Sequence, residues 1–486
     1  MVHFPGLCSD LLRWKAMGVR GWDCNKLRAI IERMSCEKDP NLVPARRCAN
    51  LSYRPLLQGG LVNDVCFAHR SKCEPTLRLS GGDLTSDELT RAFVSGGYEL
   101  GAPYQAGETS ERVFRGSRSS VHNGRRWSSL ESHLRPAMGR PNLHVMLNTH
   151  VAKVVFSAAL GAGERRAEGV LLLSGAVVLA RREVILSAGA LGSPQLLLLS
   201  GVGPAQQLNA AKIPQVVESP VGANLHDHLN MPIYVSLAQK GLSLTLAKLR
   251  SIRQLANYLL RKEGLLASTA VTGAAVWPPH IGLMLFAMGT PDEANLGAIA
   301  NYLPETFQGL FPLAANASQE GAVILATCLQ PRSRGTVTLK DADPSSPPVI
   351  DPRYLNDPED VACMTRAFRL AVRVAESKAF RKLGARVHLP QLRHCGVSNV
   401  RNDGYMECVL RTAAITGYHP AGTCPMGGSG RHSVLDSELR VRGVNGLRVV
   451  DASVFPTPTS GTPNSVLLAL AERAANLLII EHATSN

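Results

Sequence analysis

The stretch EVILSAGALGSPQLLLLSGVG, residues 183 to 203, decides the fold. Its β-branched and apolar beginning predicts a short buried strand, and the glycine of SAG predicts a tight turn after it. Beyond the turn, Ser193 suits a helix N-cap, Pro194 suits the first helical position, and Gly201 follows four consecutive leucines where a helix would stop. A strand that leads through a glycine turn into an apolar helix indicates an α/β arrangement.

The segment before this stretch predicts several short strands. NLHVMLNTHVAKVVF (142 to 156), GVLLL (169 to 173) and AVVLA (176 to 180) are apolar or β-branched runs separated by turn residues. GAGERR (161 to 166) has two glycines of a dinucleotide-binding fingerprint, but Arg166 replaces the third and no apolar helix follows, so we interpret it as a hairpin tip. We therefore predict a meander that leads into the buried strand.

Further along the chain, an amphipathic pattern predicts a helix over 361–382. A strand is predicted over 447–450, followed by an irregular Pro/Thr loop and a final helix capped by Asn464 or Ser465. A chain of 486 residues with 45% hydrophobic content can bury one large core or two cores that share an interface. The fold class is thus mixed α/β with α+β character.

The net charge of +14 raises the question of an anionic partner. The basic residues are largely dispersed, with concentrations in 112–140 and in 248–262. The first has no aromatic interleaving and no nucleic-acid motif, so we expect no nucleic-acid partner. The second lies along an apolar stripe of Leu249, Ile252, Ala256 and Leu259. Such a helix could contact an anionic membrane surface. We favour the alternative that the helix packs through its apolar stripe and exposes its basic face to solvent, as most surface helices do.

The eleven cysteines leave the compartment open. None forms a C-x-x-C pair, so we predict no zinc ribbon, no redox pair and no metal site. Sequons at Asn50 and Asn316 suit an oxidising, extracellular compartment, while the odd cysteine count fits buried reduced thiols equally well. The first residues lack a secretory signal, and any targeting segment would precede Met1.

Two positions stand out for chemistry. His419 lies in GYHPAGTCPMGG (417 to 428), where Pro420 disfavours helix and small residues allow close approach of a ligand. A lone loop histidine is also compatible with a purely structural role. Asn464 opens the final helix, whose free amides favour an anion, although simple capping explains it equally well. We interpret Cys424 as a small buried residue.

Several segments together resemble the glucose–methanol–choline (GMC) flavoprotein oxidoreductases, and the sequences of these motifs are most similar to those of the animal dehydrogenase branch. They are the 183–203 stretch, VGANLHDH (221 to 228), QPRSRGTVTL with DPRYL (330 to 355), GYHPAGTCPMG, and the segment from Leu439 to Leu478. The resemblance runs from about Met1 to Leu478. It implies a Rossmann-like FAD-binding domain and an antiparallel-sheet substrate domain with helices.

The resemblance also implies a function and a set of site residues. The function is FAD-dependent oxidation of the CH–OH group of an alcohol or sugar, with oxygen or a quinone as electron acceptor. His419 matches the catalytic histidine, which accepts the hydroxyl proton while hydride passes to the flavin. Asn464 matches its partner and a flavin contact. Cofactor contacts are implied for Val151, Gly189, Asp451 and Ala452.

The glycine-rich turn of the family's first βαβ unit is not found in this sequence, so we expect the FAD-binding domain to be incomplete. The expected division is 1–230 and 331–478 for the family's N- and C-terminal regions, with 231–330 in the substrate domain. Three hypotheses follow. The sequence is an incomplete form of an FAD alcohol dehydrogenase, or an inactive paralogue that acts as a binding protein, or a basic surface-binding protein that uses the 244–262 helix.

Overall fold

The structure, a computed structural model, describes residues 2–3, 8–35, 80–81, 87–104, 112–158, 165–428 and 432–484. The sequence also predicts a loop over 37–80, and this loop, apart from its last residue, lies outside the described residues, as do residues 161–164 at the tip of the GAGERR hairpin. The α-helices are α1 (Cys8–Ala16), α2 (Cys24–Ser35), α3 (Glu88–Glu99), α4 (Arg135–Ala137), α5 (Gly189–Leu199), α6 (Ala205–Ala210), α7 (Leu246–Leu249), α8 (Ile252–Arg261), α9 (Glu293–Ala300), α10 (Pro304–Leu310), α11 (Pro358–Ala375), α12 (Lys378–Lys382), α13 (Asp403–Ala413) and α14 (Pro463–Thr484). The strands are β1 (Val2–His3), β2 (Ser80–Gly81), β3 (Val113–Gly116), β4 (Arg118–Ser119), β5 (Val121–His122), β6 (Arg125–Arg126), β7 (Val151–Phe156), β8 (Arg165–Leu172), β9 (Val177–Leu179), β10 (Val184–Leu186), β11 (Val202–Gly203), β12 (Val217–Glu218), β13 (Leu229–Leu237), β14 (Val271–Trp277), β15 (Ile281–Phe286), β16 (Glu320–Cys328), β17 (Thr336–Thr338), β18 (Val349–Asp351), β19 (Arg386–His388), β20 (Ile415–Thr416), β21 (Val444–Asn445) and β22 (Leu447–Val449).

One antiparallel sheet of seven strands dominates the fold. Its order is β19-β13-β16-β15-β14-β3, and β20 pairs with the beginning of β13. The central strands β13 and β16 are in register from Asn230 opposite Thr327 to Leu237 opposite Glu320. Because both faces of these strands are covered, they are apolar almost throughout instead of alternating.

Helix α11 packs on this sheet and completes the larger of two cores. Its amphipathic pattern buries Cys363, Phe368, Ala371 and neighbouring side chains against β13, β15 and β16. The predicted helix over 361–382 is in fact two helices, because Ser377 caps α12 by accepting a hydrogen bond from the Phe380 amide.

The stretch 183–203 forms the predicted strand, turn and helix, with one correction. Helix α5 begins at Gly189, so Ser193 is not its N-cap and Pro194 lies inside the helix. Proline has no amide hydrogen for the Ala190 carbonyl, and the Thr423 hydroxyl donates to that carbonyl instead, at 2.7 Å. The predicted stop is confirmed, since the helix ends at Leu199 and Gly201 has φ +84°.

Strand β10 pairs with β22 in parallel, and this pair anchors the second core. Helices α1, α2, α5 and α14 contribute to that core, which includes Trp14, Leu197 and Val449. Part of this side is open to solvent. The exposed side chains are Leu147 (78%), Leu179 (74%) and Ile185 (41%).

Two other expectations need correction. Residues 142–150 are not a strand, because β7 begins at Val151 and, within the predicted run of 142–156, only the residues of β7 pair with β8. The antiparallel β7–β8 pairing is that of the predicted hairpin. The final helix begins at Pro463, so neither Asn464 nor Ser465 is its cap.

Six of the described cysteines form disulfides, which are Cys8–Cys24, Cys328–Cys363 and Cys395–Cys408. Cys424 is free and buried, as predicted. Such a set is typical of an oxidising compartment. A membrane-crossing helix, which needs length and continuous apolar character, is not found among the described residues.

Candidate functional site

The loop that carries His419 is fixed against the segment that leads into β13. The Ala421 and His226 backbones exchange hydrogen bonds in both directions, at 2.9 and 3.0 Å, and the Gly417 amide donates to the His228 carbonyl. Gly422 has φ +86°, and a Cβ at this position would lie 2.3 Å from His226 Nε2. Only glycine fits here, which explains Gly422 within the run of small residues that follows His419.

Asp227 ties the loop and the strand together from within. One oxygen of its buried carboxylate accepts from the backbone amides of His228 and His419, each at 2.8 Å. The other oxygen accepts from the hydroxyls of Tyr354 and Thr416. A buried carboxylate with four donors is fully satisfied, so it holds the backbone of His419 in one position.

The side chain of His419 contacts a second histidine. His228 Nε2 lies 3.0 Å from the Leu329 carbonyl oxygen, and its Nδ1 lies 2.9 Å from His419 Nδ1. A carbonyl only accepts, so His228 Nε2 carries the proton and its Nδ1 accepts. His419 Nδ1 must then donate, which leaves His419 Nε2 unprotonated, as an acceptor.

Both rings are held in the neutral form. Burial, together with the neighbouring His228 ring, lowers the pKa of His419 to about 3. Burial also lowers the pKa of His228, although its bond to the Leu329 carbonyl and the Asp227 carboxylate oppose this. The acceptor at His419 Nε2 is therefore present throughout the physiological pH range.

A cavity that opens to solvent lies beside the two histidines, with about 440 Å³ of empty space that includes part of the solvent. Its walls are formed by β14, β15 and β16 of the seven-stranded sheet and by the loop at Ser460–Thr462, with His228 and His419 among the lining residues. Most of the lining is apolar, and Asn230 and Thr327 add polar groups. A concave, mostly apolar lining with a few polar groups is typical of a site for a small molecule.

The loop at one wall is held by a buried carboxylate. Asp10 of α1 accepts from the amide and hydroxyl of Ser460 and from the Gln330 side chain. Helix α14 begins directly after this loop, and its second residue, Asn464, is half-buried. Asn464 follows the cavity-lining Thr462 by two residues but is not itself part of the lining.

Gly189, Asp451 and Ala452, three of the predicted cofactor contacts, come together at the carboxyl ends of β10 and β22. The Asp451 carboxylate accepts from the Gly189 amide at 3.0 Å and from the Ser193 hydroxyl, and Ala452 follows directly. Gly189 has φ +79°, and a Cβ there would meet no atom within 4 Å. A turn of small residues with open space beside it, at the ends of parallel strands and at a helix N-terminus, suits the phosphate-bearing part of a dinucleotide. Val151 lies in another sheet, opposite Leu172, and its role stays a prediction.

Sequence reasoning did not identify His228 and Asp227 as site residues. Their contacts with His419 span 191 and 192 residues, so no local pattern reveals them. The available signal was the HDH triplet at 226–228, in which two histidines flank a carboxylate directly before an apolar strand.

Comparisons with known proteins agree on one family. Models of the GMC oxidoreductase family match residues 1–230 and 331–471. The chain is 37% identical to the Drosophila melanogaster protein "Neither inactivation nor afterpotential protein G", over 76% of this chain and 63% of that protein. It is 33% identical to glucose dehydrogenase [FAD, quinone] of Drosophila pseudoobscura, over 98% of this chain and 72% of that protein. The chain thus spans less than two thirds of the length of the first of these relatives.

Among solved structures, an FAD-dependent oxidoreductase from Chaetomium thermophilum superposes with a TM-score of 0.73 at 24% identity. The superposition covers 99% of this chain and 85% of that protein. At this identity the likeness concerns the fold, and it agrees with the predicted mixed α/β class with an antiparallel sheet.

Proposed function

Since the chain belongs to the GMC oxidoreductase family, we propose that it is an FAD-dependent oxidoreductase that oxidises the CH–OH group of an alcohol or sugar. The observation that carries the proposal is the His228–His419 pair, which leaves an unprotonated ring nitrogen next to a small-molecule cavity. In this proposal His419 is the proton acceptor. The electron acceptor is oxygen or a quinone.

The residues at the ends of β10 and β22 fit one part of FAD. Gly189 and Ala452 offer backbone at an open turn, and Asp451 holds that turn through its own hydrogen bonds. Val151 and Asn464 complete the proposed contacts. FAD, when bound, supplies the hydride acceptor that oxidation of a CH–OH group requires.

The protein groups act on the hydroxyl of the substrate. In this proposal His419 Nε2 takes the hydroxyl proton; burial keeps its ring neutral and able to accept, and the same burial opposes the charged ring that then forms. The amide of Asn464, which follows the cavity-lining Thr462 by two residues, is the proposed donor to the alcohol oxygen, as the family resemblance implies. An amide cannot act as a base, so the proposed reaction relies on His419 alone. The mostly apolar walls of the cavity lower the local dielectric constant and so strengthen these polar contacts.

The proposal also assigns the parts of the chain. Residues 1–230 and 331–478 are the family's N- and C-terminal regions, and 231–330 belong to the substrate side. Strands β14, β15 and β16, which wall the cavity, come from this last segment.

A direct test compares the unsubstituted chain with His419→Gln. The flavin-loaded protein is mixed anaerobically with primary alcohols and sugars, and bleaching of the flavin absorbance is followed. We expect His419→Gln to keep its flavin and to react about 10² to 10⁴ times more slowly, because glutamine cannot accept the proton. Tyr418→Phe is the matched control, since Tyr418 is exposed and bonds only the Ile299 carbonyl and the Thr416 hydroxyl among the contacts described. Equal rates for His419→Gln and the unsubstituted chain would remove the proposed base.

A further inference from the structure

Helix α8 presents apolar side chains to solvent. Ile252 and Leu260 are each 83% exposed, Leu259 is 57% exposed and Leu255 is 48% exposed. Their spacing places all four on one face, and the helix buries none of its residues. The sequence favoured the usual arrangement, with the apolar stripe turned inward, and the structure contradicts it.

Basic side chains border this apolar face. Arg250, Arg253 and Arg261 are exposed, and residues 244–262 include no acidic residue. Lys248 has a different task, because its ammonium donates to the buried Glu320 carboxylate at 2.6 Å and holds α7 on the sheet. The arginines thus lie at the surface, while α7, at the beginning of the segment, is held on the sheet by Lys248.

A second basic segment reaches the same place. Gly124, at the turn between β5 and β6, packs so closely that a Cβ would lie 2.9 Å from the Lys262 carbonyl oxygen and 3.1 Å from the Tyr258 ring. The next two residues, Arg125 and Arg126, are exposed. Two basic segments that are more than a hundred residues apart in sequence therefore meet at the C-terminal end of α8.

We propose that α8 and the β5–β6 turn form a docking surface for an anionic phospholipid bilayer. The apolar face enters the boundary between headgroups and acyl chains, and the arginines contact lipid phosphates and anionic headgroups. The positive charge of this surface distinguishes between a bilayer and a second copy of this chain as its binding partner. A second copy of this surface would bring arginines against arginines, whereas an anionic bilayer complements them.

Vesicle flotation with the full chain tests the proposal, using phosphatidylcholine vesicles with and without phosphatidylserine. We expect binding only when phosphatidylserine is present, and weaker binding at high salt. Two triple variants, Ile252→Ser/Leu259→Ser/Leu260→Ser and Arg250→Glu/Arg253→Glu/Arg261→Glu, should each lower the partition coefficient by about tenfold or more. The single variants Ile252→Ser and Leu260→Ser provide a milder pair, and unchanged thermal unfolding verifies that each variant is folded.

Matched control variants carry the same change in charge or polarity at exposed positions outside α8 and the β5–β6 turn. Lys382→Glu/Arg386→Glu/Arg401→Glu repeats the charge reversal, and Leu303→Ser/Val349→Ser/Val397→Ser repeats the loss of exposed apolar groups. Both controls should bind as the unsubstituted chain does. The proposal is overturned if the chain does not bind phosphatidylserine vesicles, or if the controls lose binding as strongly as the α8 variants. It is also overturned if the chain is a dimer that only the apolar α8 variant dissociates, while vesicle binding is unaffected.

Discussion

The central strands β13 and β16 of the seven-stranded sheet are covered on both faces, whereas strands β9 and β10 each present residues to solvent. All nine residues of β13 and eight of the nine in β16 are buried, whereas the three residues of β9 and Ile185 of β10 are exposed. The central strands that border the cavity are thus covered by the chain's own residues. We infer that substitutions in these strands destabilise the fold more than substitutions in β9, because buried apolar area is the main favourable contribution to folding.

A matched pair of leucines gives the largest expected effect. Leu285 of β15 is fully buried, while Leu179 of β9 is 74% exposed. Leu285→Ala should lower the free energy of unfolding by about 2–5 kcal/mol, because it removes buried methyl groups and leaves a cavity. Leu179→Ala should change it by less than about 0.5 kcal/mol, as at ordinary surface positions. Urea unfolding measures both, and equal effects would mean that the two sides do not differ in the way described.

Mild acid gives the next effect. The folded chain holds His226, His228 and His419 with lowered pKa values, chiefly through burial. Below pH 6.5 the unfolded chain binds protons on these rings that the folded chain does not. The free energy of unfolding should therefore decrease as the pH is lowered below about 6.5, with a slope that approaches about 1.4 kcal/mol per pH unit for His419 and contributions of the same sign from His226 and His228.

Urea unfolding between pH 6.5 and 5 measures this slope, because carboxyl groups ordinarily have pKa values below this window. His419→Gln should make the slope smaller by about one proton, since it removes one of the three rings. A stability that does not change across this window would show that the rings are protonated in the folded chain.

Local patterns in the sequence predicted a good part of this account. The strand, turn and helix of 183–203, the stop at Gly201 and the buried Cys424 depend on neighbouring residues, and the structure has them. Ser193 was misjudged because its hydroxyl is bonded to Asp451, a residue 258 positions away. The exposed face of α8 was misjudged because spacing shows which residues share a face but not whether another element covers it.

The site shows the same limit. His419 stood out from its loop, but its protonation state depends on His228 and on a backbone carbonyl at Leu329. These are contacts across the fold, and periodicity carries no information about them. The family resemblance suggested the proposed role of His419, and the hydrogen bonds indicate that its Nε2 is the unprotonated nitrogen.

The ring nitrogens of His419 give the most direct test. In protein with ¹⁵N-labelled histidines, the signals of His419 are assigned by their loss in His419→Gln. We predict a neutral ring down to pH 5, with the proton on Nδ1 and none on Nε2, and a mixture of tautomers in His228→Leu, where Nδ1 loses its acceptor. A charged ring at pH 6, or a proton on Nε2 in the unsubstituted chain, would contradict the assignment of His419 as the proton acceptor.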